Sequence, residues 1–308
     1  MIKRDLALVL GAGASMPYGF PSGYELKRKI VEGLDPAVQT STTGMRHIVC
    51  AAGFTPAQVE AFRSALGNSG KKSVDAFLEH RADFLDVGKV STAAILLPLE
   101  RQSALFEGKG PNWYEYFFNK LNARFEDFDK NRVSVLTFNY DRSLEHYLLT
   151  ALRNSYGKTL EECAEKLKSV PIVHLHGDLG DLPLQATGGV PYGGIELTSS
   201  VIRHSASRIQ IIHEDVSDKP QFQQAHHLLR RAQMICFVGF GYDATNAQRL
   251  SKSERFSNKQ ILGSAKDITE AEAQIIRSTM AQLGFVGIAL ERGYSEALMF
   301  LRHYCVFD

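Results

Sequence analysis

Short apolar runs that stop abruptly at glycine or polar residues constrain this sequence more than any other feature. Residues 6–10 are all apolar and end at Gly11, as expected of a strand that is buried on both faces of a parallel sheet. Helical patterns separate most of these runs, and the alternation predicts an α/β fold with a Rossmann-like parallel sheet flanked by helices. The further predicted strands are 133–136, 172–173, 234–238, 260–262 and 285–290.

The stretch from 36 to 130 differs from the rest because it has few β-branched runs and several helix-period segments. We predict that it is a helical insertion subdomain, and that residues 1–35 together with 131–308 form the Rossmann-like domain. Within the insertion, Ser73 is a predicted N-cap of a helix.

Outside the insertion, a helix is predicted to start near Asp141, and residues 177–200 are predicted to be a long loop or irregular hairpin because they are rich in Gly, Pro and Thr. Further helices are predicted around 220–232, 244–254, 268–283 and 294–303.

Composition excludes several classes of function. Lys and Arg total 35 against 34 Asp and Glu, so a net charge of +1 gives no strong attraction to nucleic acid or acidic membranes. The apolar runs are far shorter than the ~20 residues of a membrane span. The four cysteines form no C-x-x-C pair and no helical His pair occurs, so we predict no metal site. We expect a cytoplasmic protein in a reducing compartment.

A glycine-rich turn follows the first strand. Gly11, Ala12, Gly13 and Ser15 allow close approach of a ligand, and free N–H groups at a helix start can hold an anion. Met16 occupies the third glycine position of a dinucleotide fingerprint, so a tight turn without a ligand remains an alternative. Pro21 lies in a segment that either initiates a helix, capped by Ser22, or closes over a nucleotide.

Polar residues follow three of the predicted strands, where ligands bind in open α/β sheets. Each has a structural alternative, because Asn139 can stabilise its own turn, Asp141 can cap a helix in addition to any catalytic role, and the glycines can simply turn the chain. The three strand ends are 137–141 with Asn139 and Asp141, 174–178 with His174 and His176, and 239–243 with Gly239 and Gly241, with Asn246 one turn later.

Two histidines stand at the second of these strand ends. We predict that His174 and His176 point to opposite faces, that one of them is a core histidine, and that His176 is the functional residue, because Gly177 next to it allows close approach of a ligand.

Four motifs in this order, Gly-Ala-Gly-Ala-Ser, Thr-Phe-Asn-Tyr-Asp, Leu-His-Gly-Asp and Val-Gly-Phe-Gly, resemble those of the SIR2-like (sirtuin-related) superfamily. The sequence is most similar to the bacterial antiphage-defence branch, which the segment 73–79 also resembles. The resemblance covers most of the chain and is least specific over 36–130.

The resemblance implies NAD+ as substrate, and it distributes roles over the matching positions. Asn139, Asp141 and His176 would be catalytic and act at the nicotinamide ribose. The NAD+-binding positions would be Gly11, Ala12, Gly13 and Ser15 around the pyrophosphate, Pro21 in the covering segment, and Gly239, Gly241 and Asn246 toward the adenosine.

Departures from the sirtuin deacylases favour hydrolysis over deacylation. Phe138 stands where those enzymes have glutamine, their zinc-binding cysteines are absent, and Ser22-Gly23-Tyr24 replaces their Asp-Phe-Arg. The expected function is therefore an NAD+ glycohydrolase that releases nicotinamide and ADP-ribose, as a defence effector that depletes NAD+. The alternatives are a protein deacylase and a non-catalytic NAD+ or ADP-ribose sensor or assembly subunit. The branch also implies a homo-oligomer and a partner protein such as an ATPase.

Overall fold

A computed structural model describes residues 1–37, 44–108, 110, 112–183, 188–211, 219–293 and 296–305. The strands are β1 (Leu6–Leu10), β2 (Val133–Thr137), β3 (Ile172–His174), β4 (Met234–Val238), β5 (Gln260–Ser264) and β6 (Ala289–Glu291). They form a six-stranded sheet in the order β3-β2-β1-β4-β5-β6, and every pairing is parallel. The predicted α/β, Rossmann-like architecture is confirmed.

Helices cover both faces of this sheet. Those outside the predicted insertion are α1 (Gly23–Gly33), α8 (Ser143–Tyr156), α9 (Leu160–Leu167), α10 (Ser199–Arg208), α11 (Pro220–Arg231), α12 (Ala244–Ser251), α13 (Glu270–Gln282) and α14 (Ala297–Tyr304). Those between are α2 (Met45–Ala51), α3 (Pro56–Gly67), α4 (Val74–Leu78), α5 (Leu85–Leu96), α6 (Gln102–Phe106) and α7 (Trp113–Lys120).

The alternation of side chains along β1 explains the two hydrophobic cores. Leu6, Leu8 and Leu10 belong to a core that they share with α1, α8, α14 and the helices α2–α7. Ala7 and Val9 belong to a second core on the opposite face, which α11, α12 and α13 cover. A strand buried on both sides needs apolar residues at every position, and this is the pattern that identified it in the sequence.

Several predicted boundaries shift in the structure. The last strand begins at Ala289, not at residue 285, because Phe285 and Ile288 are buried in the second core without being paired to β5. Within 177–200, the described residues contain no strand, and α10 begins at Ser199; residues 184–187 lie outside the described ranges.

The remaining predicted helices occur close to their expected positions, although the predicted 294–303 includes residues 294–295, which are not described. Ser73 is confirmed as the N-cap of α4 and accepts a hydrogen bond from the backbone N–H of Ala76 at 3.1 Å. None of the described helices is long and apolar enough to cross a membrane.

Two glycine turns meet above β1 and β4. The Gly13 N–H donates to the carbonyl oxygen of Gly239 at 3.0 Å, so the backbones are in direct contact. A Cβ atom on Gly11 would lie 2.6 Å from that oxygen, and one on Gly239 would lie 2.2 Å from the nitrogen of Ala14. Gly239 also has a φ of +58°, which disfavours any residue with a side chain. These glycines are therefore required by the packing of one turn on the other.

We predict that Gly239→Ala destabilises the protein while Gly241→Ala does not. Backbone strain alone should cost Gly239→Ala about 1–3 kcal/mol, and the contact with Ala14 adds to it. Gly241 lies in the same turn, but a Cβ there meets open space. Denaturant unfolding of both variants measures the difference, and equal stabilities would contradict the proposed packing role of Gly239.

A buried ion pair joins the region 97–101 to the start of α8. The guanidinium of Arg142 and the carboxylate of Glu100 are almost fully inaccessible to solvent and form a bidentate ion pair. Arg142 Nη1 also donates to the carbonyl oxygens of Gly180 at 3.0 Å and Val190 at 2.7 Å. One side chain therefore holds together three segments that are distant in sequence.

We predict that Glu100→Gln lowers the free energy of unfolding by about 3–5 kcal/mol, because it leaves the Arg142 charge buried without its counterion. The matched control is Glu32→Gln, which breaks the exposed pair with Arg28 and should cost at most about 1 kcal/mol. Similar losses in the two variants, measured by denaturant unfolding, would show that the buried pair has no special role.

Candidate active site

A small cavity of about 80 Å³ lies beyond the carboxyl ends of β1 and β2. Its walls come from the turn after β1, the segment that leads into α1 and the first turn of α1, the residues after β2, and helices α4 and α5. In an open parallel sheet this is the edge at which ligands bind. The lining residues are Ala12, Ser15, Phe20, Pro21, Gly23, Leu26, Asp75, Leu96, Phe138, Asn139, Tyr140 and Asp141.

The side-chain amide of Asn139 is held firmly on its nitrogen side. Nδ2 donates to the backbone oxygen of Gly11 at 3.0 Å and to Ser15 Oγ at 2.9 Å. Because a carbonyl oxygen can only accept, the nitrogen must face Gly11. Both amide hydrogens are therefore used, and within the described part of the chain no hydrogen bond reaches Oδ1. Oδ1 of Asn139 can therefore accept a hydrogen bond from a ligand.

Hydroxyl groups connect Asn139 to the buried carboxylate of Asp141. Ser15 interacts with both residues, and Ser143 contacts Asp141 Oδ1 through its hydroxyl and through its backbone N–H at 3.2 Å. The hydroxyl of Tyr114 lies 2.6 Å from that of Ser143. Burial raises the pKa of Asp141, while the hydrogen bonds from Ser143 and Ser15 act in the opposite sense.

The N-cap position of α8 lies one residue after Asp141, the predicted cap. α8 begins at Ser143, its N-cap position is Arg142, and the Arg142 side chain makes no capping bond there. Asp141 accepts from the Ser143 N–H, which is the first amide of the helix, so it stabilises the helix start from outside the cap position.

Asp75, which was not predicted from the sequence, also lines the cavity. It lies on α4 and accepts a short hydrogen bond from the hydroxyl of Tyr140. Burial raises the pKa of Asp75, and Tyr140 partly offsets this. Two carboxyl groups, the half-buried Asp75 and the buried Asp141, therefore share one small cavity. No signal in the sequence links Asp75 to a residue 65 positions away.

The turn after β1 uses most of its amides internally. The N–H groups of Gly11, Gly13, Ala14 and Ser15 all donate to backbone carbonyls. In the described ranges the Ala12 N–H has no such partner. The predicted contact of Gly13 with a pyrophosphate therefore stays a prediction, and in this conformation it does not involve the Gly13 N–H.

The third predicted strand end lies apart from the cavity lining. Gly239 packs on the β1 turn and donates its N–H to Ser264 Oγ at 2.8 Å. Gly241 is exposed, and Asn246 is half-buried on α12, where its N–H donates to Asp243 Oδ1 at 3.0 Å. Gly239 therefore supports the site through packing, whereas Gly241 and Asn246 do not touch the cavity.

The two histidines at the end of β3 have separate surroundings. Residues two apart in a strand share a face, so strand alternation could not separate His174 from His176. They differ because β3 ends at His174 and the chain then turns. His174 contacts Glu145 of α8, on the face of the first core, whereas His176 packs against Phe138 on the opposite face.

His176 is buried and does not line the cavity. Its ring stands edge-on to Phe138, which does line the cavity, with ring centroids 5.2 Å apart. Nε2 has no partner in the described residues, and burial, with a contribution from Arg249, lowers the pKa of His176 to about 4. His176 is therefore neutral at pH 7, as a proton acceptor needs to be.

The prediction that Gly177 allows close approach of a ligand next to His176 is wrong. A Cβ atom on Gly177 would lie 2.0 Å from the backbone oxygen of Arg208, and the Gln210 N–H donates to the backbone oxygen of His176. Gly177 thus admits the end of α10 and not a ligand.

The segment that leads into α1 closes one side of the cavity. Phe20 and Pro21 are buried, and Gly19 turns the chain before them with a φ of +90°. Ser22 then caps α1 in a reciprocal capping box with Glu25. Pro21 is therefore part of the wall, and both sequence interpretations of this segment stay compatible with the structure.

No group of three or more His, Cys, Asp or Glu residues that could hold a metal ion occurs in the described part of the chain. No protein-family model matches this sequence, and no curated protein matches it either.

We predict that neutral His176 makes the protein less stable in acid. Its folded pKa of about 4 lies below the ordinary 6.5, so the unfolded state binds the proton first and stability falls as pH drops from 6.5 to 4. The contribution approaches about 1.4 kcal/mol per pH unit.

The measurement is the free energy of unfolding of wild type and His176→Gln between pH 7 and 4. The wild-type curve should fall more steeply than that of the variant, whereas His227→Gln, exposed on α11, should follow wild type. Parallel curves for wild type and His176→Gln would contradict a depressed pKa at His176.

Proposed function

We propose that the protein is a SIR2-like NAD+ glycohydrolase that cleaves the bond between nicotinamide and ribose. The observation that carries the proposal is the arrangement of Asn139, whose amide hydrogens are fixed by Gly11 and Ser15 while Oδ1 is left to accept. It lies in a cavity at the ligand-binding edge of a parallel sheet, with a buried carboxylate connected to it through Ser15.

Asn139 would act on the reacting ribose. Oδ1 can accept a hydrogen bond from a ribose hydroxyl or from the attacking water, and so fix that group against the anomeric carbon. When the glycosidic bond breaks, its electron pair goes to the nicotinamide nitrogen, which leaves neutral, so no general acid is needed. Water then adds to the anomeric carbon and loses its proton.

Asp141 would stabilise the positive charge that develops on the ribose. An oxocarbenium-like transition state is expected for glycoside cleavage, and an anionic carboxylate in a buried site stabilises it more than it would in water. Burial raises the pKa of Asp141, and the hydroxyls of Ser15 and Ser143 act against this and favour its anionic form. Asp75, the second carboxyl in the cavity, would bind a hydroxyl of the ribose.

His176 would accept the proton from the water or from a ribose hydroxyl, since its low pKa keeps it unprotonated at neutral pH. Phe138 stands between His176 and the cavity. We infer that substrate binding rotates the Phe138 side chain and so connects the two.

The size of the cavity indicates that binding needs an opening. About 80 Å³ is far below the roughly 300–1,000 Å³ of sites for drug-sized ligands, and a dinucleotide is larger still. We propose that the Phe20–Pro21 segment moves outward to admit NAD+. The amide of Ala12 is the donor that the β1 turn leaves for the pyrophosphate.

A role in antiphage defence, with NAD+ depletion as the effect, is proposed on the resemblance alone. So are assembly into a homo-oligomer and control by a partner such as an ATPase.

The test is incubation of the chain with NAD+, with no peptide added, and measurement of nicotinamide release. We expect release from wild type and a fall in kcat of about 10²–10⁴-fold for Asn139→Ala, because the lost interaction belongs to the transition state. Asn154→Ala, exposed on α8, is the matched control and should behave as wild type.

Three outcomes would contradict the proposal. Release that requires an acylated peptide would assign a deacylase, and NAD+ binding without turnover, alone and with the products of neighbouring genes, would assign a sensor. Normal turnover by a folded Asn139→Ala variant would remove the site from the reaction.

A further inference from the structure

His174 is hydrogen-bonded through both ring nitrogens, one to the turn after β2 and the other to α8. Nδ1 lies 2.8 Å from the backbone oxygen of Asn139, and Nε2 forms a short ion pair with Glu145 on α8. The carbonyl oxygen can only accept, so Nδ1 carries a proton, and the carboxylate favours a proton on Nε2 as well. The ring is therefore an imidazolium that bridges α8 and the turn after β2.

The surroundings favour this charged state. Burial of His174 disfavours the cation, but the charge and hydrogen bond of Glu145, with a smaller contribution from Asp178, raise its pKa to about 9. A cavity of about 400 Å³ adjoins the pair, so both residues lie at its wall. The other charged side chains at this wall are Arg142, Lys168, Asp178 and Asp181, and Arg208 of α10 pairs with the two aspartates.

The bond to His174 completes the restraint on Asn139. The Asn139 N–H donates to Thr137 Oγ1 at 3.0 Å, and its carbonyl oxygen accepts from His174, so the backbone is held on both sides. The side chain is held separately by Gly11 and Ser15. Rotation of the Asn139 peptide would swing Oδ1 away from the cavity, and the imidazolium opposes that rotation.

We propose that the Glu145–His174 pair positions Asn139 for the reaction, acting through the backbone hydrogen bond and not by contact with the substrate. The catalytic consequence rests on the proposed NAD+ hydrolysis, whereas the positioning of Asn139 is a property of the protein alone. His174 is thereby a positioning residue, although the sequence favoured His176 as the functional histidine.

A purely structural pair and a positioning pair predict different kinetics. Loss of a structural pair lowers the melting temperature and leaves kcat of the folded fraction unchanged. Loss of a positioning pair lowers kcat by about 10–100-fold at temperatures far below melting, with KM nearly unchanged, because the reacting geometry is displaced.

The first arm of the experiment measures nicotinamide release against pH. Glu145→Gln keeps the size of the side chain and removes its charge, so the pH at which kcat declines on the basic side should move from about 9 toward the ordinary histidine value of 6.5. His174→Asn retains a donor near the position of Nδ1 and should keep more activity than His174→Ala. Asp181→Asn, which alters another ion pair of the same cavity wall, should leave kcat unchanged.

The second arm does not depend on turnover. NMR titration of the wild-type protein should show the carbonyl carbon of Asn139 and the amide nitrogen of Tyr140 shifting with the His174 ring near pH 9, and at a lower pH in Glu145→Gln. If no condition gives turnover, the proposed reaction fails, and this titration alone decides the positioning role.

Two results would overturn the positioning role. One is that the NMR signals of Asn139 do not change as His174 titrates. The other is that folded Glu145→Gln and His174→Asn variants keep the kcat and pH profile of wild type. If His174→Ala does not fold, Glu145→Gln, His174→Asn and the NMR titration still test whether the pair positions Asn139.

Discussion

The backbone contact between the turns after β1 and β4 determines the geometry of the candidate site. Gly13 and Gly239 touch without side chains between them, and this contact sets the path of the chain from Gly11 to Ser15. Asn139 is then oriented by the Gly11 carbonyl and the Ser15 hydroxyl, which this path supplies. A glycine-rich turn after a strand therefore serves here first to let two segments of chain meet, and a ligand-binding role is additional to that.

The sheet could be predicted well from the sequence because burial on both faces requires a continuous apolar run, and this run lies within each strand. The prediction failed at 285–288, where Phe285 and Ile288 are equally apolar and equally buried. Their backbone does not pair with β5, which bonds to β6 from residue 289 onward. Hydropathy records whether a residue is buried, and it carries no information on which backbone groups are hydrogen-bonded.

Site residues that directly follow a strand could be predicted from the sequence. Residues that other elements, distant in sequence, bring to the site could not. Asn139 and Asp141 could be selected because they follow an apolar run. Asp75, Glu100 and Glu145 could not, since their partners Tyr140, Arg142 and His174 are 29–65 residues away in sequence. Side-chain contacts over such sequence distances depend on how whole helices and strands pack. They therefore cannot be inferred from a single sequence.

The helical segment between β1 and β2 is more than a covering of the sheet. Asp75 and Leu96 form part of the cavity wall, and Glu100 neutralises the charge at the start of α8. Removal of this segment would open the cavity and leave Arg142 without its counterion. The candidate site therefore depends on both parts of the chain: the sheet and the segment have to be inherited, expressed and engineered together.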